Sequence, residues 1–384
     1  MRIAHIADIH AGKRLHGHDL ATDLAHVLHE VAETCVAEQV QALLIAGDLY
    51  DSRQPSPAAV STVSRFFSEL AAAGIETVCI PGNHDSAEHV SYASDPLAQQ
   101  GIHVMGAYTQ PIEPILLEDE HGPVAVWPMP FVRPPEVRRA LGVDVASYTE
   151  ALAAAVSAMP LKPGTRNVLL AHQFVTDGGV GPERSESEVV VGGLDNVDAR
   201  IFDGFEYVAL GHLHRPQRVR SERMRYAGSP LKYSTSEAGT PKTMPIVDIG
   251  PKPTDGLAPI ATRLVPLEPL HDLRVVTGPL DELVSDEVVS AANAEDYVYA
   301  QLTDQTPLLG PMAALRDAYP NVLGFCYLGS ETAASSQPSE APPSEDKGRD
   351  ELFCDFFRAQ TGTEITEPQL ALLRSVLDDL SREA

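Results

Sequence analysis

Ala42-Leu43-Leu44-Ile45-Ala46-Gly47-Asp48-Leu49-Tyr50-Asp51 sets the pattern on which the whole chain is built. Five apolar residues are too few for a helix and read as a buried strand. A glycine then lets the backbone turn, and a carboxylate follows at the strand end. The pattern recurs in order. Residues 2–7 lead into Asp8-Ile9-His10, and residues 77–81 into Gly82-Asn83-His84-Asp85. Residues 167–171 lead into His172, and residues 207–210 into Gly211-His212-Leu213-His214. Helices separate the first three strands. Residues 19–38 repeat apolar side chains at Leu20, Leu24, Val27, Leu28 and Val31. Ser56 is a natural N-cap with Pro57 at the first helical position, and that helix runs through Val63, Phe66 and Leu70 to a stop near Gly74. The alternation βαβαβ predicts an α/β fold with parallel strands and helical crossovers.

Downstream, residues 112–117 and 123–128 read as strands around a turn at His121-Gly122, and residues 147–159 as an alanine-rich helix. Residues 217–220, 224–227 and 244–249 read as a meander, making a mixed sheet system with strand ends converging on one edge. We place the first domain at 1–266. A small α+β domain is expected over 267–330, with strands at 273–276, Tyr297–Leu302 and Val322–Tyr327 and helices near 281–292 and 312–318. Residues 331–348, rich in Ser, Pro, Ala and Glu, read as a flexible linker. The tail, 349–384, carries an apolar cluster at Leu352, Phe353, Phe356 and Phe357 and a helical stripe through Leu373 and Leu377. Such elements either fold back on their own protein or dock on a partner, and the second reading is favoured.

The five strand-end motifs offer carboxylate, imidazole and amide oxygen, with no thiolate. Groups of this kind gathered on one rim can hold two divalent cations side by side, a device for breaking phosphate esters. Asp8 and His10 would point the same way if strand geometry persisted past Ala7. Asp48 is the natural bridging carboxylate, Asn83 offers an amide oxygen, and His172, His212 and His214 offer neutral nitrogens. The mixed N and O set suits Mn²⁺ and accepts Fe or Zn. His84, directly after a ligand, is placed to protonate a leaving oxygen. Asp51 either hydrogen-bonds His84 and keeps it protonated or caps a turn. Asp85 reads as a turn cap or as orienting a ligand. Nine of the fourteen histidines fit no motif, and His16 and His18 lie in a loop near the rim, candidates for substrate contact.

The net charge of −26 argues against a broad non-specific surface for nucleic acid. One basic strip stands out locally: Arg215, Arg218, Arg220, Arg223 and Arg225, with Lys232 beyond. It reads either as a salt-bridged surface or as phosphate-backbone contacts beside the metals, the second being favoured for Arg215 and Arg218. Arg133, Arg138 and Arg139 form another patch. The four cysteines are scattered without zinc-ligand spacing, no apolar run is long enough for a bilayer, and no signal-peptide pattern opens the sequence. A reduced cytoplasm is the expected setting.

These motifs in this order resemble the calcineurin-type metallophosphoesterases. Asp8-Ile9-His10-Ala11-Gly12-Lys13, the three further motifs and Gly228-Ser229-Pro230-Leu231-Lys232-Tyr233-Ser234 are similar to the SbcD family, the nuclease subunits of bacterial SbcCD complexes. The resemblance implies a two-sheet β-sandwich flanked by helices, a small capping domain that shapes DNA access, and a C-terminal helical segment that docks the SMC-like ATPase SbcC. It also implies a homodimer. By position it assigns two Mn²⁺ to Asp8, His10, Asp48, Asn83, His172, His212 and His214, and the acid role to His84. The activity implied is double-strand exonuclease and single-strand or hairpin endonuclease action at DNA ends, in repair and recombination. Arg215, Arg218, Lys232 and His16 are the expected DNA contacts. The rival reading is a small-molecule phosphodiesterase or phosphatase on the same scaffold. The added domain, linker and apolar tail argue against it.

Overall fold

A computed structural model describes residues 1–178, 181–183, 185, 196–328, 365, 366, 369, 370 and 373. The chain divides into two compact units, Met1–Leu273 and one that begins at Arg274.

The first unit is built on two six-stranded sheets. One runs in the order Ile260–Pro266, Thr243–Ile249, Arg2–Ile6, Ala42–Ala46, Glu76–Ile80, Ile102–Val104. Its last four strands are parallel, as the βαβαβ pattern requires, with Ile6 opposite Ile45 and Ala46 opposite Ile80. The other sheet runs Gln217–Val219, Ser221–Tyr226, Tyr207–Gly211, Arg166–His172, Gly122–Met129, Ile115–Asp119. Its centre is parallel, with Gly211 opposite His172, and each edge closes with an antiparallel pair.

Side chains alternate across each strand. Val168, Leu170 and Ala209 therefore share one buried cluster with Ile3, Leu44, Val78 and Ile80 of the other sheet. Leu169, Val208 and Leu210 face the opposite way, into a cluster with Val137 and Leu152 of helices Pro134–Leu141 and Tyr148–Ser157. This is a two-sheet sandwich flanked by helices, and strands buried on both faces explain the unbroken apolar runs in the sequence. Helices Ala21–Ala37 and Pro57–Ala73 pack on each other. The second is capped as its sequence demands: the Ser56 side chain accepts from the Ala59 amide, and Gly74 ends it in the left-handed region.

The expected meander is corrected. Residues 217–226 form a hairpin in the second sheet, but Thr243–Ile249 crosses to the first, antiparallel to Arg2–Ile6. There it pairs with Ile260–Pro266, a strand whose alternating exposed residues hid it from a search for apolar runs.

The second unit begins within strand Leu273–Gly278, which makes a three-stranded sheet with Tyr297–Leu302 and Val322–Tyr327. Val298, Ala300 and Leu302 pack with Leu283, Leu315 and Tyr319. The single helix expected over 281–292 is two short ones, Leu280–Leu283 and Asp286–Ser290, because Ser285 starts the second as an N-cap. Of the apolar tail residues, Leu373 is helical and half-buried, while Leu352, Phe353, Phe356, Phe357 and Leu377 lie outside the described residues. No helix among the described residues is long and apolar enough to cross a membrane.

Beyond the apolar core, the sandwich holds a buried ion pair at the sheet edge. Asp119 pairs with Arg166, and both side chains are almost wholly buried. The pairing holds the Asp119 carboxyl well below the usual range. A depressed carboxyl stabilises the fold above its unfolded pKa and loses that contribution as pH falls through its folded value. Asp119→Asn should cost roughly 3–5 kcal/mol near neutral pH, because it leaves the Arg166 charge buried without its partner. The deficit relative to wild type should shrink in strong acid, as urea denaturation at neutral and acid pH will show.

Candidate metal centre

The parallel register brings the ends of strands Arg2–Ile6, Ala42–Ala46 and Glu76–Ile80 to one rim, and Tyr207–Gly211 and Arg166–His172 deliver theirs beside it. The loops are stitched together by backbone bonds. The amides of Asp8, His10 and Ala11 donate to the carbonyls of Gly47, Asp48 and Leu49 at 2.8–3.0 Å. Strand geometry does not persist past Ala7, since Asp8 and His10 have φ of 54° and 45°. Asp48 and His212 are also left-handed, at 51° and 103°. Such non-glycine conformations cost of order 1–3 kcal/mol each and persist only where the surroundings enforce them.

Asp85 does much of that enforcing. Its buried carboxylate accepts from the amides of Gly82, Leu49 and Tyr50 at 2.9, 3.1 and 3.0 Å, tying the second and third motifs into one unit. The two loops approach so closely that a Cβ on Gly82 would lie 2.1 Å from Asp48 Oδ1. At Gly47 a Cβ would meet His172 Nδ1 at 2.3 Å, and φ is +84°.

Three groups of ligand atoms converge here: His10, Asp51 and His84 at the outer edge, and two buried ones, Asp8, His10 and His214, and Asp8, Asp48 and His172. Asp48 Oδ2 lies between the buried two, 3.3 Å from His172 Nε2 and 3.7 Å from His10 Nε2. The Asn83 side-chain oxygen stands 3.0 Å from both His172 Nε2 and His212 Nδ1. His172 Nδ1 donates to the Ala46 carbonyl at 2.7 Å, which aims Nε2 inward. The amide of His212 donates to Asp8 at 3.0 Å and that of His84 to Asp48 Oδ1 at 2.9 Å. All seven residues expected as ligands thus gather in one place.

The donor set fits divalent cations. His10 Nε2 faces His214 Nε2 at 3.1 Å, and His10 Nδ1 is buried without a hydrogen bond among the described residues. Burial pushes the Asp8 carboxyl up to about 7 and the His10 imidazole down to about 4, so His10 is a neutral ring at pH 7. Burial also lowers His172, but the charge and hydrogen bond of Asp48 prevail and raise it to about 9, so this imidazole supplies a positive charge that the carboxylates otherwise lack. A divalent cation at the cluster would replace that proton as the charge balancing the buried carboxylates and would leave the His172 nitrogen free to ligate.

His84 borders the cluster from the solvent side, its ring 4.9 Å from that of His10. Its Nδ1 donates to the backbone carbonyl of Asp51 at 3.1 Å. The Asp51 carboxylate instead accepts from Lys13 at 2.9 Å and lies 3.4 Å from His10 Nδ1. The contact with His84 expected of the Asp51 side chain is made by its main chain.

The expected DNA contacts stand in acidic company. Arg215 donates to Glu183 at 3.0 Å and to the Ser236 carbonyl at 2.5 Å. Arg218 pairs with Glu222 at 2.8 Å, and Lys232 with Asp272 at 2.7 Å. Of the strip's other arginines, Arg220 pairs with Asp203 and Arg225 with Glu222. His16 sits in the left-handed region of an exposed turn.

Sequence reasoning missed Glu237 and Lys242. Glu237, fully buried, places Oε1 3.7 Å from His214 Nδ1 and takes a hydrogen bond from Lys242 Nζ at 2.6 Å. Lys242 also donates to the His214 carbonyl at 2.7 Å and to Ser229 at 2.8 Å. The segment 228–234 earns its place nearby. The Tyr233 ring lies 5.6 Å from both the His10 and His214 rings, and its hydroxyl donates to the Ile9 carbonyl at 2.5 Å. A carboxylate behind a ligating histidine fixes its ring orientation and raises its basicity. Glu237→Gln should therefore weaken divalent-cation binding on the His214 side of the cluster by roughly 10- to 100-fold, as measured by titration calorimetry on the metal-free chain.

Comparison with known proteins accords with this geometry. Residues 1–216 match the calcineurin-like phosphoesterase model. Residues 269–361 match the SbcD-type C-terminal domain, described as the type 5 capsule protein repressor C-terminal domain. Among solved structures, the chain is similar to GAP50, the anchor in the inner membrane complex of Plasmodium, at 11% identity and a TM-score of 0.37 over 70% of this chain and 85% of that one. That likeness is too loose to bear on function. The family match spans more than half of the chain and includes all seven expected ligands, and the chain belongs to the calcineurin-like phosphoesterases, with an SbcD-type C-terminal domain after the phosphoesterase domain.

Proposed function

We propose that this chain is the nuclease subunit of a DNA-end-processing complex, hydrolysing phosphodiester bonds at duplex ends and hairpins together with an SMC-like ATPase of the SbcC type. The observation that carries this reading is the union, in one chain, of a buried mixed N and O cluster with an SbcD-type C-terminal domain. A small-molecule esterase has no use for the second part.

Asp8, His10 and His214 would hold one cation, and Asn83, His172 and His212 the other, with Asp48 shared. The set suits Mn²⁺, with Fe or Zn as substitutes. Two such ions neutralise phosphate oxygens and make water a stronger nucleophile at neutral pH. The protein's own work is positional. Asp85 holds the Asp48 and Asn83 loops together, and Tyr233 and Glu237 steady the His10 and His214 rings. The Asp51 carbonyl accepts from His84 Nδ1, so that the doubly protonated ring keeps its Nε2 proton for the departing oxygen and ends as the neutral Nδ1–H imidazole.

Arg215, Arg218, Lys232 and His16 are proposed DNA contacts, the three cations exchanging their carboxylate partners for backbone phosphates. With a net charge of −26, the partner supplies much of the DNA affinity. Residues 267–330 would cap the site and shape DNA access, and 331–348 would link them to a docking segment at 349–384. In that segment Leu352, Phe353, Phe356, Phe357, Leu373 and Leu377 form the apolar contact with the SbcC-type ATPase. A homodimer completes the assembly.

The test is cleavage of a linear duplex and a hairpin with Mn²⁺, with and without the ATPase and ATP. His84→Ala should lower kcat by roughly 10²- to 10⁴-fold while Mn²⁺ binding stays near two ions per chain. Loss of both ions in His84→Ala would remove the acid role. Turnover of a small phosphodiester without DNA cleavage under any condition would move the function to small-molecule hydrolysis.

A further inference from the structure

A cavity of about 400 Å³ opens directly beside the cluster, bordered on one side by Gly82 and Asn83. Its other walls include Arg53, Tyr108, Phe131, Arg133 and Arg139. The volume is that of a site for a ligand of nucleotide size. Three features suit such a ligand.

The first is charge. Three carboxylates and three guanidinium groups line the cavity, but the carboxylates are already committed. Asp85 accepts from three backbone amides. Glu136 takes the Arg133 amide at 2.8 Å and lies 3.6 Å from its guanidinium. Glu88 takes the Ser86 hydroxyl at 3.1 Å. Arg53 and Arg139 are exposed, and neither side chain pairs with a carboxylate among the described residues. The formal charges of the lining balance, so what the cavity offers an anionic ligand is local: the two exposed guanidinium groups of Arg53 and Arg139.

The second is an aromatic wall. The Phe131 ring lies edge-on to the ring of His172, with centroids 6.3 Å apart, and the Arg133 guanidinium sits 5.0 Å from its centroid. Flat π and guanidinium surfaces of this kind receive nucleobases without regard to sequence. The third is an unmet polar group: Tyr108, only 7% exposed, has a buried hydroxyl with no hydrogen-bond partner among the described residues.

We propose that this cavity holds the nucleotide unit adjoining the phosphodiester at the cluster, with its phosphate at Arg53 and Arg139 and its base against Phe131 and Tyr108. The proposal rests on the DNA reading above. It names a subsite for the strand apart from Arg215, Arg218 and Lys232, all of which pair with carboxylates.

The experiment is steady-state cleavage of a short single-stranded oligonucleotide with Mn²⁺ at several salt concentrations, by wild type and by the double variant Arg53→Ala/Arg139→Ala, with 5′-dAMP and inorganic phosphate as inhibitors. Both arginines are on the surface, so the core is untouched. The variant's KM should rise roughly tenfold or more. The slope of log KM against log salt should fall by about one per arginine removed. Wild type should bind dAMP more tightly than inorganic phosphate, and the variant should lose that preference. An oligonucleotide cut with unchanged KM and salt slope would overturn the subsite while leaving the nuclease reading in place. Wild type that turns over bis(p-nitrophenyl) phosphate but cuts no oligonucleotide would overturn both.

Discussion

Everything at the rim depends on the in-register parallel pairing of short, fully buried strands. Ala46 opposite Ile80 and Gly211 opposite His172 put four chain segments at the same height, so that residues far apart in sequence end within hydrogen-bonding reach. Because side chains alternate with a period of two, a slip of one residue in any of these strands would turn its apolar set out of the core and withdraw its polar end from the rim. The hydrophobic core and the polar cluster are therefore specified by the same register. The apolar run that precedes each motif is the anchor that aims it.

Aiming the groups carries a cost that the surroundings must offset. Four non-glycine residues of the cluster sit in the left-handed region, and Asp8, His10, Asp48, His172 and His214 are all buried. The offset comes from neighbours that never face a ligand. Asp85 satisfies three amides at once, and the amides of His84 and His212 hold Asp48 and Asp8. Lys242 and Glu237 form a buried pair behind His214. A cluster braced in this way is preorganised for the cations its donors fit.

Much of this was legible in the sequence because it is written locally. A run such as Ala42–Ala46 can be little but a buried strand, and Ser56-Pro57 can be little but a helix start. The motif residues were equally plain, since buried hard ligands after such strands have few structural uses. Other features were hidden for definite reasons. Strand Ile260–Pro266 alternates half-buried and exposed residues at the sheet edge, so it lacks an apolar run. Thr243–Ile249 looks like the next turn of a meander until its pairing with Arg2–Ile6 is seen, and pairing is a long-range property. The basic strip looked available for phosphate because sequence shows charges in order, whereas Asp203, Glu183 and Asp272 reach it from distant segments.

The sequence by itself determined which groups could act as ligands, that the strands bearing them would be buried and the first three of them parallel, and that the chain carries a phosphoesterase-type centre followed by a further domain. These follow from short-range pattern and from the chemistry of each side chain. Only the tertiary structure decided that Asp51 meets His84 through its carbonyl, that Glu237 stands behind His214, that Tyr233 braces two ligand rings, and that Arg53 and Arg139 share a cavity with Phe131 beside Asn83. Each of these is a contact between segments whose separation along the chain says nothing of their distance in space. They are set by how two sheets pack and by which loops that packing brings to one edge.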